Sequence, residues 1–119
     1  HLFWQQMDPV RVVRAIPDAV YHVHIKDTQV NEAEVALAGV LDNRPWTDPD
    51  HRAWVFATAG RAHDAAWWGG FIDALAEVGY DDCLSIEQED PYVGEEEGVR
   101  EAAAFTAALL AARAGSSPS

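Results

Sequence analysis

Apolar and polar positions alternate along this chain with a period that shifts between helix-like and strand-like, and each shift marks an element. Val10, Val13 and Ile16 recur at helical spacing behind Asp8-Pro9, where the aspartate can accept orphan backbone N–H groups and the proline suits a first helical position. A short helix over 8–16 is expected, broken at Pro17-Asp18. Val20-Tyr21-His22-Val23-His24-Ile25 then alternates as a strand does. Tyr21, Val23 and Ile25 point one way, His22 and His24 the other. Residues 27–52 hold scattered polar groups, Pro45, Pro49 and one apolar stretch from Val35 to Leu41, the pattern of a long excursion with about one helical turn. Such a segment usually serves as a binding loop or lid.

Ala53 to Thr58 reads as a second strand, and Gly60 to Ala62 as a turn. Asp64 caps a helix over 65–78 that carries Trp68, Phe71, Ile72 and Leu75 on one stripe, with Gly79 closing it. Cys83 to Glu87 forms a third strand. An acidic loop from Gln88 to Gly94 leads into a last helix over 95–113, whose Glu95, Glu96 and Glu97 suit the positive end of the helix dipole. The order predicts an α/β fold of parallel strands joined by crossovers. Three parallel strands with helices on one face leave the other face bare, so the alternatives are a small open domain or the last part of a (β/α)8 barrel. Residues 1–114 form the expected domain, and Gly115 to Ser119 a small polar, flexible tail.

Composition narrows the classes of function. Eight Lys plus Arg against twenty Asp plus Glu give a net charge of −12, which argues against nucleic acid and anionic membrane as partners. Nearly half the chain is apolar and five residues are Trp, which excludes an acidic disordered tail. A lone cysteine, Cys83, fits a reducing compartment, and no apolar run nears the roughly twenty residues that cross a bilayer. With no basic-then-apolar leader at its start, the expectation is a cytoplasmic protein. The opening His1-Leu2-Phe3-Trp4 reads as the interior of something longer.

The polar residues on the strands carry the chemistry. His22 and His24 share one face of the first strand, and Ser85 and Glu87 one face of the third, which describes polar groups converging at a barrel mouth. His24 and Glu87 then read as two ligands of one divalent metal; neutral imidazole plus carboxylate suits Mn²⁺, Mg²⁺, Co²⁺ or Zn²⁺. The same histidines also suit a buried structural role, satisfied by carbonyls or carboxylates. Oxygen-rich sites have about six positions, so further donors are expected from outside the chain. A metallo-β-lactamase pattern fails at Lys26-Asp27, and an amidohydrolase pattern lacks downstream ligands despite His51 and His63. Lys26 and Asp27 suggest a local ion pair, while Glu89 and Asp90 either position Glu87 or are solvated. Trp54, Trp67 and Trp68 read as core, whereas Trp4 and Trp46 on loops can line a pocket.

Tyr21-His22-Val23-His24-Ile25-Lys26-Asp27-Thr28 resembles the sixth-strand motif of the sugar phosphate isomerase/epimerase family, xylose-isomerase-like TIM barrels related in fold to the endonuclease IV group. Gly39-Val40-Leu41-Asp42, Gly60 with His63-Asp64, and Gly79-Tyr80-Asp81 before Leu84-Ser85-Ile86-Glu87 follow in the family's order. The resemblance spans about residues 1–112 and implies strands six to eight, the C-terminal part of the barrel. It implies a metal-dependent sugar (phosphate) isomerase or epimerase that acts on a keto-sugar or polyol through an enediolate stabilised by the metal. Dehydratase chemistry belongs to the same class. In that picture Glu87 is metal ligand and acid/base, His24 a metal ligand and His22 a residue at the strand mouth. His1, in the position of an Asp-x-x-His motif, would touch substrate, as would His63 and Trp4. An upstream aspartate and a fourth-strand glutamate would complete the set. The alternative is a catalytically incomplete half-barrel or binding module that needs a second copy or a complementing chain.

Overall fold

In the computed structural model, residues 1–114 are described, and the polar tail expected at 115–119 lies outside them. Helix α1, Pro9–Ala15, starts as the Asp-Pro pair dictates: the Asp8 carboxylate accepts from the Val10 N–H at 2.9 Å and Pro9 occupies the first turn. Pro17 ends it in a single 3₁₀ turn. Strand β1, Val23–Ile25, buries Val23 and Ile25 and turns His24 outward, the alternation its sequence carries.

A strand that sequence reasoning did not find, β2 (Asp27–Val30), continues almost directly from β1, and Asn31 opens helix α2, Glu32–Ala38. Strand β3, Trp54–Ala57, pairs antiparallel with β2 in the register Asp27↔Ala57, Thr28↔Phe56, Gln29↔Val55 and Val30↔Trp54. Strand β4, Leu84–Ile86, pairs parallel with β1 in the register Val23↔Leu84, His24↔Ser85 and Ile25↔Ile86.

The expectation of three parallel strands is therefore corrected to two. β1 and β4 are immediate neighbours, and the 53–58 strand that should have separated them folds back on β2 instead. The cause lies in the chain: β2 follows β1 after one residue, so its backbone groups need a partner, and β3 arrives antiparallel to satisfy them. The first-strand motif thus lies beside the last strand rather than two strands away.

Helix α3, Ala65–Glu77, is capped by Asp64, whose carboxylate accepts from the Trp67 N–H at 2.9 Å. It buries Trp68, Phe71, Ile72 and Leu75, the stripe its spacing defines. Each such side chain contributes about 1.5–3 kcal/mol of burial. Gly79 follows the helix at φ +82°, a left-handed position open to glycine at no steric cost. Helix α4, Glu95–Ala114, packs on α3 and β4. The main core joins Val13, Val23, Ile25, Ala59, Trp68, Phe71, Leu75 and Ala102. A separate aromatic cluster forms on the ladder of β2 and β3, where Trp54 and Phe56 pack with Trp4, Val30 and Val35.

Candidate functional site at the mouth of the parallel strands

Because β1 and β4 run parallel and in register, residues of like parity meet across them. His22 Nε2 lies 2.9 Å from Ser85 Oγ, and His24 Nδ1 lies 3.0 Å from Glu87 Oε2. The two histidine rings stand edge to face with centroids 5.1 Å apart. The Glu87 N–H donates to the Ile25 carbonyl at 3.1 Å, which carries the ladder one residue past the strand and fixes where the carboxylate emerges. His24 and Glu87 thus share one face and one hydrogen bond.

Lys26 completes the group. Its ammonium donates to Glu87 Oε1 at 3.0 Å and to Glu89 Oε1 at 2.7 Å, and sits 3.6 Å from the centroid of the Phe56 ring. The Lys26 side chain is only 4% exposed, whereas Glu87 is 34% exposed and His24 57%. The buried ammonium holds the Glu87 carboxyl below the usual carboxylate range; partial burial opposes this and the His24 hydrogen bond assists it. Glu87 therefore carries full negative charge at neutral pH, with one oxygen on Lys26 and the other on His24. With Nδ1–H donated to the carboxylate, His24 keeps its Nε2 lone pair available to a ligand.

The local ion pair expected between Lys26 and Asp27 does not form, because successive side chains of an extended segment turn to opposite sides. Asp27, fully buried, faces the 58–64 loop. It accepts from the backbone N–H groups of Thr28, Gly60, Ala62 and His63, from Trp68 Nε1 at 3.3 Å and from His63 Nδ1 at 2.7 Å. Asp90 does not touch Glu87; half-buried, it accepts from both the N–H and the hydroxyl of Thr58, each at 2.9 Å. Gln88 donates to the same hydroxyl at 2.8 Å and lies where a Cβ on Gly98 would be, so that glycine admits the loop that follows Glu87.

The remaining candidates distribute unevenly. His1, His22, His24 and Lys26 line a cavity of about 210 Å³ whose other walls include Phe3 and Trp67. His1 accepts from Trp4 Nε1 at 3.2 Å, while the Trp4 ring stacks on Trp54 at 4.8 Å and contributes no wall to that cavity. His63 lies against Asp27 on the far side of the chain from Lys26. Sequence reasoning singled out Lys26 and Asp27 but paired them with each other, and it missed Phe56 under the Lys26 ammonium. The signal was the Lys-Asp pair just past the strand end, which marks one side chain for each face.

A divalent cation suits an imidazole beside a carboxylate, and one shared by His24 and Glu87 would take the place of the hydrogen bond that joins them. Among the described residues no three His, Cys, Asp or Glu side chains are placed to hold a metal ion together. No described helix is long and apolar enough to cross a membrane.

Residues 1–109 match the family model described as xylose isomerase-like TIM barrel. The chain is also 35% identical over 100 residues to the uncharacterized protein YfiH of Bacillus subtilis (strain 168), an alignment that takes in 84% of this chain and 32% of that protein. It thus spans about a third of the length of the curated relative it matches. Two adjacent parallel strands with polar groups at their carboxyl ends, helices packed behind them and a match over nearly the whole sequence lead to one assignment: the chain belongs to the xylose isomerase-like TIM barrel family.

Proposed function

We propose that this chain forms the part of a sugar isomerase or epimerase that carries one acid/base group and part of a divalent-metal site. The observation that carries the reading is the Glu87 carboxylate, held between His24 and buried Lys26 at the mouth of two parallel strands. Glu87 would remove a proton from the carbon next to a sugar carbonyl and return it, which yields epimerisation or aldose–ketose exchange. Lys26 keeps that carboxylate ionised between turnovers. A divalent ion (Mn²⁺, Mg²⁺, Co²⁺ or Zn²⁺) held by His24 and Glu87, with donors from outside this chain, would supply Lewis-acid polarisation of adjacent sugar oxygens. His1 and His22, which line the same cavity, would touch the substrate's hydroxyls. The net charge of −12 argues against a nucleic-acid partner.

A second reading shares the same geometry. The chain would be a binding module completed by another chain or copy, because two donors fall short of a full coordination shell. Solvent exchange separates the two. The protein, expressed in its native coding context and supplied with Mn²⁺, is incubated in D₂O with unphosphorylated ketohexoses, and deuterium at the carbon beside the carbonyl is followed by NMR. Exchange is expected, and Glu87→Gln should slow it by about 10²-fold or more. No exchange, or exchange indifferent to that substitution, removes the enzyme reading.

A further inference from the structure

Lys26 and Asp27 are neighbours that serve different sites. Asp27 takes the Nδ1–H of His63 at 2.7 Å, which leaves Nε2 as the one acceptor on a neutral imidazole. Phe3 stacks on the His63 ring at 4.0 Å and Trp67 lies 5.2 Å away, so the plane of the ring is fixed as well as its tautomer. The carboxylate is fully buried while the His63 side chain is 30% exposed, which keeps the charge out of solvent and the imidazole within reach of it. His63 lines a second cavity of about 210 Å³ with Phe3, Thr28, Gln29, Val30 and Ala62. No Lys or Arg lines it, and the buried Thr28 hydroxyl in its wall has no protein partner.

We infer that this cavity is a hydroxyl-selective subsite, which takes an unphosphorylated polyhydroxy ligand through a hydrogen bond donated to His63 Nε2. The charge balance decides against phosphate: the Asp27–His63 pair sums to zero with the imidazole protonated and to −1 with it neutral, and nothing else in the wall is cationic. A hydroxyl suits the site because it donates to the imidazole and brings no charge for the wall to balance. Phe3 lines both this cavity and the one that holds His22, His24 and Lys26, so the two lie side by side. The inference rests on the proposed sugar chemistry for the choice of ligand and on its own residues for everything else.

Calorimetric titration with D-sorbitol and with D-sorbitol 6-phosphate tests it. Sorbitol is expected to bind at least about tenfold more tightly than its phosphate ester. His63→Phe, which keeps the stacking on Phe3, should weaken sorbitol binding by about tenfold. His63→Gln restores an acceptor oxygen and should recover part of that loss. In ¹⁵N-histidine-labelled protein without substitutions, the His63 Nε2 resonance should shift on adding sorbitol and stay in place with the ester. Equal or tighter binding of the ester, no binding of sorbitol, or a His63→Phe protein that binds sorbitol unchanged overturns the subsite. Glu87→Gln serves as the independent arm: loss of deuterium exchange with sorbitol binding intact separates failure at one site from failure at the other.

Discussion

A single residue separates β1 of the parallel pair from β2 of the antiparallel ladder, yet the two strand pairs use charge in opposite ways. At the mouth of the parallel pair, His24 and Glu87 stand partly open to solvent; His24 keeps one ring nitrogen unengaged, and each Glu87 oxygen carries a single hydrogen bond. At the start of the antiparallel ladder, Asp27 is sealed and spends both oxygens on six protein donors. A carboxylate whose lone pairs are saturated by the protein organises a loop; one that is half-saturated, with a buried cation behind it, is left for chemistry. The two roles are assigned by a single step along an extended backbone.

The largest effect that should follow from this contrast is at Asp27. Asp27→Ala leaves the N–H groups of Gly60, Ala62 and His63 and the indole of Trp68 without their acceptor in the protein interior. A loss of about 3–5 kcal/mol is expected, read as a lowered denaturation midpoint in urea. If the midpoint falls by no more than it does for Glu87→Gln, the distinction between an organising and a chemical carboxylate is lost.

What the sequence made legible, and what it hid, follows the same division. The facing of His22 and His24 against Ser85 and Glu87 could be read because strand periodicity is two and both flanking sets, Val23 with Ile25 and Leu84 with Ile86, are plainly apolar. The stripe of α3 was equally open, since four large apolar residues repeat at helical spacing behind an aspartate cap. The ladder of β2 and β3 was not. Asp27-Thr28-Gln29-Val30 shows no apolar alternation, and its fully buried residues, Asp27 and Thr28, are polar. The burial of Asp27 is stabilised by partners 30 or more positions away, which no local pattern encodes. The same blindness turned β3 into a third parallel strand: Trp54-Val55-Phe56-Ala57 announces a strand and says nothing of its partner. Lys26 was misread because opposite charges adjacent in sequence suggest a pair, whereas an extended chain drives them apart.

A smaller effect is expected where the ladder's excursion is tied down. The Asp42 carboxylate accepts from three Arg44 N–H groups and from the Ala53 N–H, and Arg44 also reaches Glu34 at 2.6 Å. The Arg44 guanidinium, aided by the Ala53 amide, holds the Asp42 carboxyl well below the usual carboxylate range. A depressed folded-state pKa gives stability that is fully present above the unfolded value, near 3.9, and is lost as pH falls through the folded one. Asp42→Asn should therefore cost on the order of 1–2 kcal/mol at neutral pH. Its deficit against the unsubstituted protein should shrink as pH drops below about 4. Urea midpoints at intervals between pH 7 and pH 2.5 measure the convergence, and a constant deficit across that range would show that Asp42 contributes shape rather than charge.

The smallest effect on stability, and the sharpest test of the comparison, belongs to Lys26. Its ammonium is buried, but the carboxylates it pairs with reach water, so Lys26→Met replaces a buried cation by an apolar chain of similar length and leaves Glu87 and Glu89 able to hydrate. Stability should change by less than about 1.5 kcal/mol, because exchange of a buried ion pair for apolar packing is often close to neutral. The Glu87 carboxyl should respond far more. With the largest influence holding it down removed and partial burial left in place, its pKa should rise toward or above the ordinary carboxylate value. The sign follows from linkage: the stability Glu87 now contributes above the unfolded pKa, and loses as pH falls through the folded one, should shrink in the variant, so its acid limb becomes shallower. Carboxyl ¹³C shifts of Glu87 against pH read the first quantity and urea midpoints the second. A large fall in stability with Glu87 unmoved would place Lys26 with Asp27 among the groups that build the fold, and the division between the two strand pairs would no longer hold.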